Sequence, residues 1–232
     1  YNNTVFLYHP PAEYVWGSPD VYEDLRTFFY YHKRGQRRVL NDHFDVPTRH
    51  DECDPPWVVR PVNHFGGAHF HVASTEGELR EAARHIQRHS SERRWYASKL
   101  FRRTREFRSF FVGGHHVTTM LKRIEGVGYA QADNMPDPDK DDRQMRPWNR
   151  CETGDTQYMT IHRDRNNKLL QTSFFDDATS FFEVYPFDLL AVDVGYNDHN
   201  DEYRVFEVNF APELTVESSL TPIANALDRL RE

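Results

Sequence analysis

Two apolar runs near the C-terminus constrain this chain more than any other feature. Asp188-Leu-Leu-Ala-Val-Asp193-Val-Gly and Tyr203-Arg-Val-Phe-Glu207-Val-Asn209-Phe-Ala-Pro212 read as strands, and the segment between them, Tyr196-Asn-Asp-His-Asn-Asp-Glu202, is dense in turn formers. The pattern predicts an antiparallel hairpin. Asp193, Glu207 and Asn209 are then polar residues planted inside apolar strands. Residues two apart on a strand face the same way, so Glu207 and Asn209 share a side, and pairing brings Asp193 beside them. Two carboxylates and an amide oxygen in one place suit Mg²⁺, a hard ion that takes oxygen ligands and shares them with phosphates. The same spacing fits an ordinary hairpin with its polar residues on a wet face, and spacing by itself leaves both readings open.

At 232 residues and 27.6 kDa the chain is long enough for one sizeable domain or two small ones. Its 17 Phe and 12 Tyr predict an aromatic-heavy core and exclude a disordered chain. The net charge of −7 argues against nucleic acid as the default partner. Cys53 and Cys151 are too few for a disulfide framework, which points to a reducing, cytoplasmic compartment, that of the host if the source is viral. No apolar run approaches the roughly 18 residues that a membrane span needs, so a soluble protein is expected. The chain opens at Tyr1 rather than Met, so a short preceding segment is expected.

Turn and cap signals divide the chain further. Thr4 to Tyr8 predicts a short strand, and Ser18-Pro19 opens a helix that ends near Gly35. Residues 39–56 are polar and broken by proline, hence a linker, and Trp57-Val-Val-Arg60-Pro61 is the next strand. Thr75-Glu-Gly-Glu78 is a capping box opening a helix through about His89. Phe107 to Leu121 predicts a hairpin turning at Gly113-Gly114. Residues 133–148 read as a mobile loop, Asp176 to Tyr185 as a helix, and Pro222 to Leu230 as a last amphipathic helix.

A second constellation lies at Val58-Val-Arg60-Pro-Val-Asn63-His64-Phe-Gly66-Gly67-Ala-His69-Phe-His71-Val72. A strand ending in a cation, a glycine-containing loop and a return strand form a clamp: backbone N–H groups approach phosphate oxygens closely where glycine removes the Cβ, and Arg60 supplies fixed charge. A Gly-Gly turn is also common in plain hairpins, so the clamp gains its meaning from the acidic set downstream.

These segments together resemble the ATP-grasp superfamily. Val58-Val-Arg60-Pro61, the glycine loop from Asn63 to His71, Glu106-Phe107-Arg108, Val192-Asp193-Val and Glu207-Val-Asn209-Phe-Ala-Pro212 occur in the family's order. The resemblance covers about residues 57 to 230. It implies an α+β fold in which two α+β subdomains with antiparallel sheets clasp a nucleotide: residues 57–100 as the small glycine-loop subdomain and 101–232 as the larger metal-binding one, after a reduced N-terminal segment, 1–56. It implies that Asp193, Glu207 and Asn209 hold Mg²⁺, or Mn²⁺, that Arg60 replaces a phosphate-contacting lysine, and that Arg108 lies near the reacting phosphate. Asn63, His64, Gly66, Gly67 and Glu106 then join the ATP-binding set, and Lys99-Leu100-Phe101 forms the adenine hinge. Lys122 joins that set too, and with Arg123, Asn149 and Arg150 it is a candidate to hold a carboxylate substrate. Arg60 in place of lysine and His69 in place of a further glycine depart from the pattern, and the trimmed N-terminal segment is similar to phage and viral members.

The activity so implied is ATP-dependent ligation of a small-molecule or peptide carboxylate to an amine or thiol through an acylphosphate. Two other readings stay open: a catalytically inactive relic serving as an interaction module, and a nucleic-acid-binding accessory protein built on the run Arg93-Arg94, Lys99, Arg102-Arg103, Arg105 with Trp95, Tyr96 and Phe101 interleaved. The short N-terminal segment suggests a homo-oligomer or a partner subunit. The 13 histidines are read as surface residues, His64, His69 and His71 on a loop, and residues 137–142 as a solvated acidic loop rather than a Ca²⁺ site.

Overall fold

A computed structural model describes residues 33–62, 69–91, 93–124, 128–129, 156–161, 169, 172–185, 187–209 and 217–230. The expectations for residues 4–8, the helix start at Ser18, the loop residues Asn63, His64, Gly66 and Gly67, the 133–148 loop, Asn149, Arg150 and Cys151 lie outside these.

Two antiparallel sheets organise the described chain. The smaller is built from β1 (Trp57–Pro61), β2 (His71–Ala73) and β3 (Trp95–Lys99) in the order β2-β1-β3. Helix α1 (Lys33–Leu40) precedes it, and helix α2 (Glu76–His89) crosses one of its faces. The sequence signals for α2 act as expected: the Thr75 hydroxyl accepts from the Glu78 N–H, and the Glu78 carboxylate accepts from the Ser74 N–H at 2.6 Å. Leu79, Ala82, Ala83 and Ile86 fall on one stripe at helical spacing and are buried. Leu79 and Ile86 meet Trp57, Val59, Ala73 and Ala97 of the sheet, burial worth about 1.5–3 kcal/mol for each large side chain.

The larger sheet has six strands: β4 (Arg105–Val112), β5 (His115–Ile124), β6 (Gly128–Tyr129), β7 (Thr156–Ile161), β8 (Leu189–Asn197) and β9 (Glu202–Asn209). Their order is β6-β5-β4-β8-β9, with β7 also on β5. Gly113 and Gly114 turn the β4–β5 hairpin at φ of 54° and 78°, a conformation that costs glycine nothing. Helix α3 (Phe174–Val184) covers one face over an aromatic core of Phe107, Phe111, Phe174, Phe181 and Tyr196; helix α4 (Glu217–Arg229) packs Ile223, Ala226 and Leu227 on Phe110, Val112 and Met120 of the other. Among the described residues no helix is long and apolar enough to cross a membrane. This is the α+β, antiparallel architecture that the motifs implied.

Three local expectations change. α1 runs through Gly35 to Leu40 instead of ending at the glycine, because Val39 and Leu40 are buried against β9, and burial outweighs glycine's weak helix propensity. The linker is tied down: carbonyls of Asp45, Thr48 and Pro56 accept from the N–H groups of Val205, Lys99 and Leu100 at 2.8, 2.7 and 2.9 Å. α4 begins five residues before Pro222, which sits in its second turn. A β-bulge interrupts the β8–β9 register after Asp193, leaving Phe206 as the extra residue. Tyr203 and Val205 point into the core before it and Val208 after it, so Glu207 and Asn209 emerge on the opposite face.

Candidate functional site

The register places Arg108 opposite Asp193 on neighbouring β4 and β8, and Asp193 opposite Glu207 on β8 and β9. Three charged side chains therefore stand in a row across three strands. Arg108 grips Asp193 with two hydrogen bonds, Nε to Oδ1 at 2.6 Å and Nη2 to Oδ2 at 2.8 Å, a bidentate pair. Asn209 Nδ2 donates to the same Oδ2 at 3.1 Å, which turns the amide oxygen away from the carboxylate. Asp193 is 5% exposed, so its charge depends on these partners. The hairpin and the shared side are thus present, with Asp193 paired to Glu207 and hydrogen-bonded to Asn209.

The donor set is two carboxylates and an amide oxygen, the hard-oxygen chemistry that Mg²⁺ accepts. Among the described residues no three histidine, cysteine, aspartate or glutamate groups converge as a closed cage. An ion held here therefore draws on Asn209 and on oxygens from a bound ligand, as Mg²⁺ at phosphates does. Asp193 has to divide its oxygens between such an ion and Arg108.

The small sheet turns its other face toward this row. Arg60 on β1 lies across from Tyr96, donates from Nη2 to the Ser98 hydroxyl at 3.0 Å, and rests over the Phe70 and Tyr96 rings at 5.3 and 5.0 Å. Its Nε is buried without a partner. Lys99 and Leu100 direct their N–H groups to the linker, and Lys99 Nζ donates to the Asp54 and Pro55 carbonyls at 2.8 and 3.0 Å. Phe101 packs edge-on to Phe206, joining the segment after β3 to the bulge. Glu106 forms a buried ion pair with Arg103 at 2.6 Å. Lys122 lies on β5 opposite Tyr158, on the strand next to β4, which carries Arg108. His69 adopts φ of 59°, the left-handed region that glycine favours, at the position where the family pattern has glycine.

Arg37 on α1 is the residue that sequence reasoning missed. It lies over the Tyr96 ring at 5.5 Å, feels the charges of Arg60 and Glu207, and donates from Nη1 to the Pro47 carbonyl at 3.3 Å. Its Nε and Nη2 are buried with no partner. Burial, then the adjacent Arg60 cation, lowers the guanidinium from its ordinary value to about 9. The available signal was in the helix itself: Gln36, Val39 and Leu40 stand at i, i+3 and i+4, which marks a polar residue on an apolar stripe and α1 as a docked helix. The basic run proposed as a nucleic-acid surface is broken up, since Tyr96 and Arg103 are buried and Trp95 packs against the α2 core.

No protein-family model and no characterised protein sequence matches the chain. Solved structures do. The ATP-grasp ligase PsnB, complexed with a minimal precursor, superposes with a TM-score of 0.55 at 12% identity, over 94% of this chain and 63% of that one. D-alanine–D-alanine ligase from Bacillus anthracis, complexed with ATP, gives 0.56 at 14%, over 87% and 67%. The macrocyclase MdnC from Microcystis aeruginosa, bound to the precursor peptide MdnA, gives 0.52 at 13%, over 86% and 60%. The chain thus spans about three-fifths to two-thirds of the length of these proteins. Identities this low speak for architecture alone, and the architecture is decisive: the chain has the ATP-grasp fold.

Proposed function

We propose that the protein is an ATP- and Mg²⁺-dependent ligase that joins a carboxylate to an amine, or a thiol, through an acylphosphate. The observation that carries this reading is the Arg108–Asp193–Glu207 row with Asn209 beside it, facing Arg60 and Arg37. In such a reaction the γ-phosphoryl of ATP passes to the carboxylate, and the amine then displaces phosphate from the mixed anhydride. The protein's task is to position and neutralise. Asp193, Glu207 and Asn209 would hold Mg²⁺, which neutralises phosphate charge when bound. Arg60 and Arg37 present unpartnered guanidinium nitrogens to a polyanion, and two buried cations near each other are costly until one arrives. Arg108 orients Asp193 and lies beside the place where phosphoryl charge develops. Lys99 to Phe101 would line the adenine, and residues 63–67 would cover the phosphates. Two of the superposed structures carry precursor peptides, which supports including peptide carboxylates among the substrates. A homo-oligomer, or a partner subunit completing the N-terminal side, belongs to the same proposal.

One observation favours the second reading, an inactive relic. Both Asp193 oxygens are already engaged, by Arg108 and Asn209. Calorimetric titration of Mg²⁺ with a non-hydrolysable ATP analogue separates the two. Micromolar binding that disappears in Glu207→Gln/Asn209→Ala supports the ligase; a folded native chain that binds no nucleotide overturns it.

A further inference from the structure

Across the small sheet from Arg60, on the α2 side, four histidines meet. His71 is on β2 opposite Val59, whose side chain packs under α2. His85 and His89 are one turn apart on α2, and His69 precedes β2. The His71–His85 and His85–His89 ring centroids are each 4.6 Å apart, and His69–His85 is 5.8 Å. The sequence reading of His71 as a surface loop residue is corrected here: the ring is 1% exposed because β2 tucks it between sheet and helix.

His71 is the anomaly. Both of its ring nitrogens are buried and neither has a hydrogen-bond partner. A neutral imidazole carries one donor and one acceptor, so this arrangement forfeits both, and buried polar groups are rarely left so. Its ring neighbour His85 stands four residues before His89 on α2, the spacing that puts two imidazoles on one face of a helix.

We propose that His69, His71, His85 and His89 form a binding site for a divalent transition-metal ion of the zinc class, clamping β2 to α2. Imidazole nitrogens select zinc, nickel or copper over Mg²⁺, so the site does not compete with the oxygen set at Asp193. Two imidazoles on a tetrahedral zinc bring their ligating nitrogens to about 3.3 Å, given Zn–N bonds of about 2.0–2.1 Å, which the observed centroid spacings permit. The rings are tilted by 39° to 67°, and no three already converge on one point, so binding requires side-chain rotation. His89 is exposed and His85 half-exposed, and both have room to turn.

The test is titration of ZnCl₂ into the full, untagged, chelator-stripped chain in excess Mg²⁺, followed by calorimetry and thermal melting. One Zn²⁺ per chain with micromolar or tighter affinity and a raised Tm is expected. Affinity should fall at least tenfold in His85→Asn, at a partly exposed position, and in His89→Asn, at an exposed one, with retained folding verified by circular dichroism. Glu207→Gln should leave zinc affinity unchanged, so the result stands apart from the nucleotide site. Zinc binding that survives the double variant His85→Asn/His89→Asn overturns the proposal. So does a folded native chain that takes up no zinc.

Discussion

Gln36 on α1 is joined twice to the backbone of Val208 on β9: its Nε2 donates to the Val208 carbonyl at 2.7 Å, and the Val208 N–H donates to its Oε1 at 3.3 Å. One amide thus completes the outer edge of a strand at the residue between Glu207 and Asn209. The contact spans 172 residues of sequence and is fully buried. It makes α1 part of the machinery that fixes the acidic row.

Gln36→Leu should therefore destabilise the fold by about 1–3 kcal/mol, because a buried N–H and C=O lose their partners and the leucine offers none. For a domain of this size each kcal/mol corresponds to about 2–4 °C in Tm. Differential scanning calorimetry decides it, and a melting point within 1 °C of the parent would show that β9 finds other partners.

The Arg103–Glu106 pair has side chains only 3% and 7% exposed. Removing one partner strands a charge in the interior. Arg103→Met should cost about 3–5 kcal/mol in urea unfolding, whereas Arg103→Met with Glu106→Leu should recover most of that loss. If the double variant is no better than the single one, the charge pairing is not what makes the site sensitive.

Tyr203 donates its hydroxyl to Asp177 of α3, and burial, then this hydrogen bond, raises its pKa. A raised folded-state pKa means that the native protein keeps a proton that the unfolded chain releases near pH 10. The associated stability is complete below about pH 10 and is lost as pH rises beyond it. Tyr203→Phe should flatten the alkaline loss of stability relative to the parent, and tyrosinate absorbance at 295 nm should show one fewer late-titrating phenol. An unchanged alkaline profile would refute the assignment.

The hairpin at Asp193 and Glu207, the capping box at Thr75 and the Gly113-Gly114 turn were legible, because each is written in short-range pattern. The pairing of Arg108 with Asp193 follows from strand order once the fold is identified. Arg37 and Gln36 were not legible as site residues: their roles arise from contacts with Tyr96 and Val208, far away in sequence. His71 was misread for a related reason. Its neighbours in sequence are a glycine-rich loop and a polar helix start, whereas its neighbours in space come from α2.

The bulge at Phe206 carries one more implication, for chain length. Strand side chains alternate, so every residue beyond the bulge owes its orientation to a count of positions. With Phe206 present but no bulge, strict alternation from Tyr203 would turn Glu207 and Asn209 inward and expose Val208; deleting Phe206 would instead leave a plain ladder, Val205 opposite Val194 and Glu207 opposite Asp193, with the carboxylate on the same side. A homologue one residue shorter ahead of those letters keeps the orientation with no bulge, whereas one of this length keeps it only with the bulge. Homologues of this chain are therefore judged by the spacing from Tyr203 to Glu207 together with the bulge, and not by the motif itself.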